Sequence, residues 1–198
     1  MFDTPVIERL SRVHPLTIFV FWLPIVVAVT VWNFSNGMRL AVYLPLSVAG
    51  WLCWSFTEYV LHRWVFHFRG RRGWQRRMHF IIHGVHHDYP NDGGRLVMPL
   101  PITVPVGLGF YFVMSQLFGA FYGVPLFVGF GIGYLLYDGI HYATHHFALK
   151  RWPGKWLKRY HMVHHFAGFE AKWGVSTPLW DYVFRTVDDR RARPPEQG

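Results

Sequence analysis

Three stretches of the chain carry no charged side chain: residues 13–38, 40–57 and 96–137. A bilayer's hydrocarbon core, about 30 Å thick, is crossed by about 20 helical residues, so the first two stretches each hold one span and the third is long enough for two. The pattern predicts spans at 16–32, 40–60, 104–118 and 125–140, turns at 33–39 and 119–123, and a short interfacial lead-in over 1–12. Pro99, Pro101 and Pro105 break the start of the third span, which is short and is expected to be kinked or re-entrant. A polar, basic segment follows the second span and ends on the turn signal Asp92-Gly93-Gly94, and from His141 the chain is polar and basic again. The predicted fold is therefore an all-α integral membrane protein of four transmembrane helices, with residues 1–198 as a single domain.

Composition sharpens this picture. Apolar residues make up 52% of the chain and charged residues 16%, against about 25% charged in soluble domains, which excludes an ordinary soluble enzyme. The net charge of +9 would suit nucleic acid, but the cations gather beside span ends: Arg69, Arg71, Arg72, Arg76 and Arg77, then Lys150, Arg151, Lys155, Lys158 and Arg159. They read as positive-inside residues facing anionic headgroups, with no nucleic-acid partner. Both termini and the large loop then lie on the cytoplasmic side, where they form a helical cap, in an inner membrane if the source is bacterial or the endoplasmic reticulum if it is eukaryotic. The first apolar stretch is not a cleavable signal peptide: it follows Asp3 and Glu8, contains Pro24 and lacks a small-residue cleavage site. The single Cys53 excludes a disulfide framework and a cysteine-based zinc ribbon.

The chemistry resides in histidine. Of 13 histidines, ten fall in four short windows: His62 and His67; His83, His86 and His87; His141 and His145; His161, His164 and His165. On a helix, positions i, i+3 and i+4 share a face, so each of the two HxxHH windows is expected to point at one centre, and His141 with His145 likewise converge. His62 and His67, five apart, need a helix end or a π-bulge to do so. Isolated His14 and His79 read as capping or interfacial residues, and His146 stands between the two readings. Ten imidazoles serve two metals with five each, leaving one open position per ion near octahedral geometry. Imidazole suits iron, zinc, copper and nickel, and a redox metal could take dioxygen at the open position. Ligands near span ends set the metals at headgroup depth, which favours reaction at the head end of an acyl lipid whose tail stays in the bilayer. Spacing alone leads as far as a dinuclear, lipid-facing metal oxidase. A histidine-rich transporter or a bis-histidine haem anchor remains an alternative, although transporter ligands usually sit near the bilayer midplane.

Other residues carry weaker signals. Glu58, Asp138 and Asp181 could each accept the second ring N–H of a ligating histidine, or instead serve as a helix cap or ion-pair partner of Arg63 or Lys172. Tyr134 and Asp138 are the catalytic candidates outside the histidines, approaching His141 along the fourth span with Tyr137, where they could line a channel for a polar lipid head.

Four stretches, EYVLHRWVFH (58–67), HGVHHDYPNDGGRLVMP (83–99), GYLLYDGIHYATHH (133–146) and KRYHMVHHFAGFEAKWGVSTPLWDYVFRT (158–186), resemble the membrane fatty acid hydroxylase and sterol desaturase superfamily. Within it they are most similar to the fatty acid 2-hydroxylases. The resemblance implies an oxygen-dependent enzyme with two iron ions that hydroxylates carbon 2 of a long acyl chain, free or in an N-acylated sphingolipid. It carries the family's metal ligands onto His62, His67, His83, His86, His87, His141, His145, His161, His164 and His165. Zinc cannot change oxidation state, so zinc in a purified sample would be a substitute. Many members carry an amino-terminal b-type cytochrome domain; here about a dozen residues precede the first span, so electrons are expected from a separate b-type cytochrome, or a ferredoxin with its reductase. The family's double proline after RLVM is Pro99-Leu100-Pro101 in this chain. A sterol oxidase or carotenoid hydroxylase of the same superfamily is the nearest alternative; the latter's third box typically has four residues between its histidines, where His141 and His145 have three.

Overall fold

The computed structural model describes residues 8, 12–68, 70–166 and 171–187. Arg69 and most of the expected lead-in lie outside the described residues. Every regular element among the described residues is helical: α1 (Leu16–Ser35), α2 (Leu40–Val60) continuing into a π-helix (Leu61–Phe66), α3 (Gly73–His79), a second π-helix (Phe80–Gly84), α4 (Val85–Asp88), α5 (Leu100–His146), α6 (Gly154–Phe166) and α7 (Leu179–Val183). Among the described residues three helices are long and apolar enough to cross a bilayer: Leu16–Ser35, Leu40–Phe66 and Leu100–His146.

The last of these is two helical arms. Gly119 has φ 77° and ψ 152°, a conformation essentially reserved for glycine, and beyond it the chain turns back on itself. Phe110 stacks on Phe130 at 3.9 Å and Tyr111 meets Phe127 at 5.5 Å, contacts that a straight helix, rising 1.5 Å per residue, would hold far apart. The reversal takes one residue where the sequence predicted five, because glycine alone supplies the turn and helix resumes directly. Nor do the prolines break the start of this helix. Helix begins at Leu100, so Pro101 falls in the first turn, where a missing N–H costs nothing, and Pro105 sits inside the helix.

The chain divides into two compact units, 1–54 with 92–139, and 55–91 with 140–198. The first unit is an up-and-down helical bundle. α1 joins α2 through a turn at Asn36 and Gly37, the latter with φ 88°, and Thr30 shares a hydrogen bond with Tyr43 across it. α1 runs against the second arm of α5: Phe19 lies by Gly139, Trp22 by Tyr134, Val26 by Gly131. The Asn33 amide donates to the Phe121 carbonyl at 2.8 Å, the group that Pro125, lacking an N–H, leaves without its helical partner. Backbone approaches of this bundle rest on glycine. A Cβ on Gly129 would stand 1.8 Å from the Ser47 carbonyl oxygen and one on Gly50 2.0 Å from that of Leu126. Close packing through small residues is how helices associate where no water drives them together. The outward side of α1 is apolar as well, with Leu16, Val20, Val27 and Val31 more than half exposed.

Candidate metal centre

All ten clustered histidines belong to the second unit, which assembles them in two groups of five: His62, His67, His83, His87 and His164, and His86, His141, His145, His161 and His165. Within each group the offered ring nitrogens lie within 4.8 Å of one another. His62 and His67 meet because the end of α2 widens into a π-helix, whose larger turn nearly aligns residues five apart. His83 lies within the second π-helix. His141 and His145 stand one turn apart at the end of α5, and α6 supplies His161, His164 and His165.

The expectation that each HxxHH window points at one centre is corrected. His83 and His87 join the first group while His86 crosses to the second; His161 and His165 join the second while His164 crosses to the first. The reason is angular. At about 100° per residue, i+4 lies about 40° to one side of i and i+3 about 60° to the other, so two nearby centres divide the window between them. The rings of His87 and His165, one from each group, stack at 4.1 Å.

The geometry fits metal ions. Nε2 atoms face each other in pairs: His67 and His164 at 3.2 Å, His83 and His87 at 3.1 Å, His86 and His141 at 3.0 Å, His145 and His161 at 2.8 Å. Nitrogens bound about 2.1 Å from one ion and at right angles stand about 3 Å apart. The second ring nitrogens set which atom faces inward. Nδ1–H of His164 donates to the Ala171 carbonyl at 2.9 Å, and Nδ1–H of His62 to that of Trp173, so Nε2 of both presents its lone pair to the group. Among the described residues, Nε2 of His62 is buried with no hydrogen-bond partner, as a ligand atom awaiting an ion would be.

Electrostatics agree. Burial, and then the charge that neighbouring imidazoles would carry, hold His67 down at about 2 and His87 at about 3; burial, against the upward pull of the Ala171 hydrogen bond, takes His164 to about 4. His83, His86, His161 and His165 are lowered for the same two reasons. The imidazoles are thus neutral, the form that binds metal.

A scan along the sequence matches residues 47–186 to the family described as fatty acid hydroxylase. The chain belongs to the fatty acid hydroxylase family. Among its relatives, the dihydroceramide fatty acyl 2-hydroxylase FAH1 of Arabidopsis thaliana is 38% identical over 90% of this chain and 75% of its own length. The fatty acid 2-hydroxylase of Mus musculus is 32% identical over 100% of this chain and 59% of its own. A solved structure of full-length scs7p, in which only the hydroxylase domain is visible, superposes with a TM-score of 0.85 at 33% identity, covering 94% of this chain and 70% of that one.

In this hydroxylase Glu58 and Asp181, each of which could have accepted a ring N–H directly, bind main-chain amides and hydroxyls among the described residues. Glu58 accepts the N–H groups of Val175 and Ser176 at 2.7 and 2.8 Å and the Ser176 hydroxyl. Asp181 accepts those of Trp173 and Gly174 at 2.9 and 2.8 Å and the Thr186 hydroxyl at 2.7 Å; burial pushes its carboxyl up against the pull of these donors. Both therefore hold the strap 171–176, whose carbonyls face His62 and His164. Sequence reasoning missed this strap because backbone carbonyls carry no residue signature; Gly174, where a Cβ would meet the Thr177 carbonyl oxygen at 2.0 Å, was the one available signal. Tyr134 and Asp138 belong to the first unit, where both are buried and bind Met98: Asp138 accepts its N–H at 3.3 Å and Tyr134 donates to its carbonyl at 3.4 Å. His14 Nδ1 accepts the Leu16 N–H at 3.3 Å, a capping contact, and His146 stacks on Tyr142 at 4.4 Å.

Proposed function

We propose that this hydroxylase inserts one oxygen atom from dioxygen at carbon 2 of a long acyl chain, free or N-linked in a sphingolipid, using two iron ions held by the ten histidines. The observation that carries the reading is the pair of five-imidazole groups, neutral and facing inward, in a chain whose relatives are named for 2-hydroxylation of fatty acids and dihydroceramide acyl chains. Breaking an unactivated C–H bond needs a change of oxidation state, which iron supplies and zinc does not. The second oxygen atom would leave as water, with two electrons and two protons drawn from a donor such as a b-type cytochrome, or a ferredoxin with its reductase.

The protein's own residues have three tasks in this reading. Five imidazoles in each group would hold one ion and could leave it open to a reactant. The Nδ1 bonds of His62 and His164 fix two ligand rings before any ion arrives, so the site is preorganised. Tyr134 and Asp138, through Met98, shape the segment 95–99 that follows the turn at 92–94; their part is to position the acyl head, and neither needs to exchange a proton. The whole chain acts as one hydroxylase domain, with α1, α2 and the two arms of α5 as four membrane spans. The apolar, exposed side of α1 supports a lipid surround. The histidine-bearing elements form a helical cap on the cytoplasmic side, in keeping with the cations beside them.

Expression of the full chain in a host lacking hydroxylated lipids, followed by mass spectrometry, tests the reading. Acyl chains bearing a 2-hydroxyl are expected. A hydroxyl on a sterol ring, a carotenoid or an acyl terminus, with no 2-hydroxy species, would reject it, and full turnover by an iron-free, zinc-loaded sample would reject iron.

A further inference from the structure

The strap 171–176 treats the two histidine groups unequally. The peptide unit between Trp173 and Gly174 carries two hydrogen bonds at once: its carbonyl accepts Nδ1–H of His62, and its N–H donates to Asp181 at 2.8 Å. Asp181, fully buried, is thereby linked to a ligand ring through one peptide group. A carboxylate that accepts a ligand's ring N–H fixes its orientation and raises its basicity; a peptide group polarised at both ends transmits the same influence, since hydrogen bonds in series strengthen one another. The Ala171–Lys172 peptide repeats the pattern, accepting from His164 and donating to the Thr186 carbonyl at 2.9 Å. Thr186 in turn donates its hydroxyl to Asp181. The Trp173 ring closes the arrangement, packing 5.7, 4.9 and 5.1 Å from the rings of His62, His67 and His164. All three belong to the first group. In the second group, by contrast, Nδ1 of His161 and of His165 is buried without a hydrogen-bond partner among the described residues.

We propose that Asp181 is a positioning residue for one metal position alone, acting through the Trp173–Gly174 peptide on His62, and that the two metal positions are therefore unequal, the first held more tightly. This rests on the metal-binding reading above. Loss of outer partners of ligating histidines lowers metal affinity about 10–100-fold, so Asp181→Asn is expected to weaken the first position by that factor and leave the second unchanged.

The test uses the full chain in detergent, loaded with ⁵⁷Fe, with iron counted by elemental analysis and resolved by Mössbauer spectroscopy. In a chelator challenge that leaves the unaltered protein with both ions, Asp181→Asn is expected to retain about one. The signal it loses should be the one lost in His67→Ala and kept in His145→Ala. Retention of both ions, equal loss from both positions, or loss of the second signal would overturn the proposal while leaving the metal reading intact; an unaltered chain that binds no iron would overturn both. Should Asp181→Asn fail to fold, timed chelation of the unaltered protein decides. Two phases of equal amplitude separated about tenfold or more, with the slower release from the first position, support the proposal, and a single phase overturns it.

Discussion

The two groups of five histidines reach similar inward-facing geometry by different means. The second draws on two pairs spaced i, i+4, His141 with His145 and His161 with His165, plus His86 from the neighbouring box; ordinary α-helix suffices. The first includes His62 and His67, spaced i, i+5, and needs a π-helix to align them, then a strap of irregular backbone to hold His62 and His164. The difference teaches that regular helix can gather ligands unaided. Where the spacing departs from it, extra structure is built around the exception.

The comparison is broken most severely at the π-helix. Inserting an alanine after Val65 would space the two histidines six apart and carry His67 about 100° further round the helix, removing one ligand from the first group and none from the second; hydroxylation should fall below detection and iron drop from two per chain to about one. An unchanged iron count would show that the π-helix is incidental. Alanine at His164 in the first group or at His86 in the second should likewise abolish product, each with loss of a different iron signal. Identical spectra from the two variants would deny that the boxes are divided between centres.

Acidification probes both groups together. His67, His87 and His164 titrate at about 2, 3 and 4 in the folded chain, against 6.5 ordinarily. Below pH 6.5 the unfolded chain takes up protons that the folded chain refuses, so the stability present above that value is lost as pH falls, by up to about 1.4 kcal/mol per pH unit for each histidine. Denaturant unfolding of the metal-free protein at pH 7.5, 6.5 and 5.5 should show the decline; flat stability would mean the rings are protonated or exposed. A smaller effect belongs to the first unit. Gly129→Ala, pressing a methyl into the Ser47 carbonyl, should cost about 1–3 kcal/mol while leaving the ratio of the two iron signals unchanged. The smallest belongs to His14→Ala, which removes one capping contact, should cost about 1 kcal/mol or less, and should alter neither iron nor product.

The sequence displayed the second group more openly than the first. Charge-free stretches located the long helices, since burial in lipid or protein leaves no other composition, and the i, i+5 spacing of His62 and His67 by itself called for an irregular helix. The division of each HxxHH box was not legible, because a shared helix face is consistent with one target or two, and only a second cluster of ligands tells them apart. The extents of α5 were misjudged for a local reason. Prolines at 101 and 105 read as breaks, yet the first turn of a helix tolerates one and tertiary packing carries the other. Glu58 and Asp181 were recognisable as carboxylates near the boxes, but their partners are mostly main-chain amides, which carry no residue signature.

The glycine reversal at 119 has a practical consequence for mapping this protein. The end of α1 lies beside the start of the second arm of α5, as the Asn33–Phe121 bond records, and the chain turns there on two glycines, at 37 and 119, with scarcely any intervening loop. An epitope tag or protease site inserted there would have to unwind helix to be displayed. Sidedness at that end is better read with small thiol reagents against cysteines substituted at exposed Phe118 or Tyr122, with Cys53 first replaced by serine.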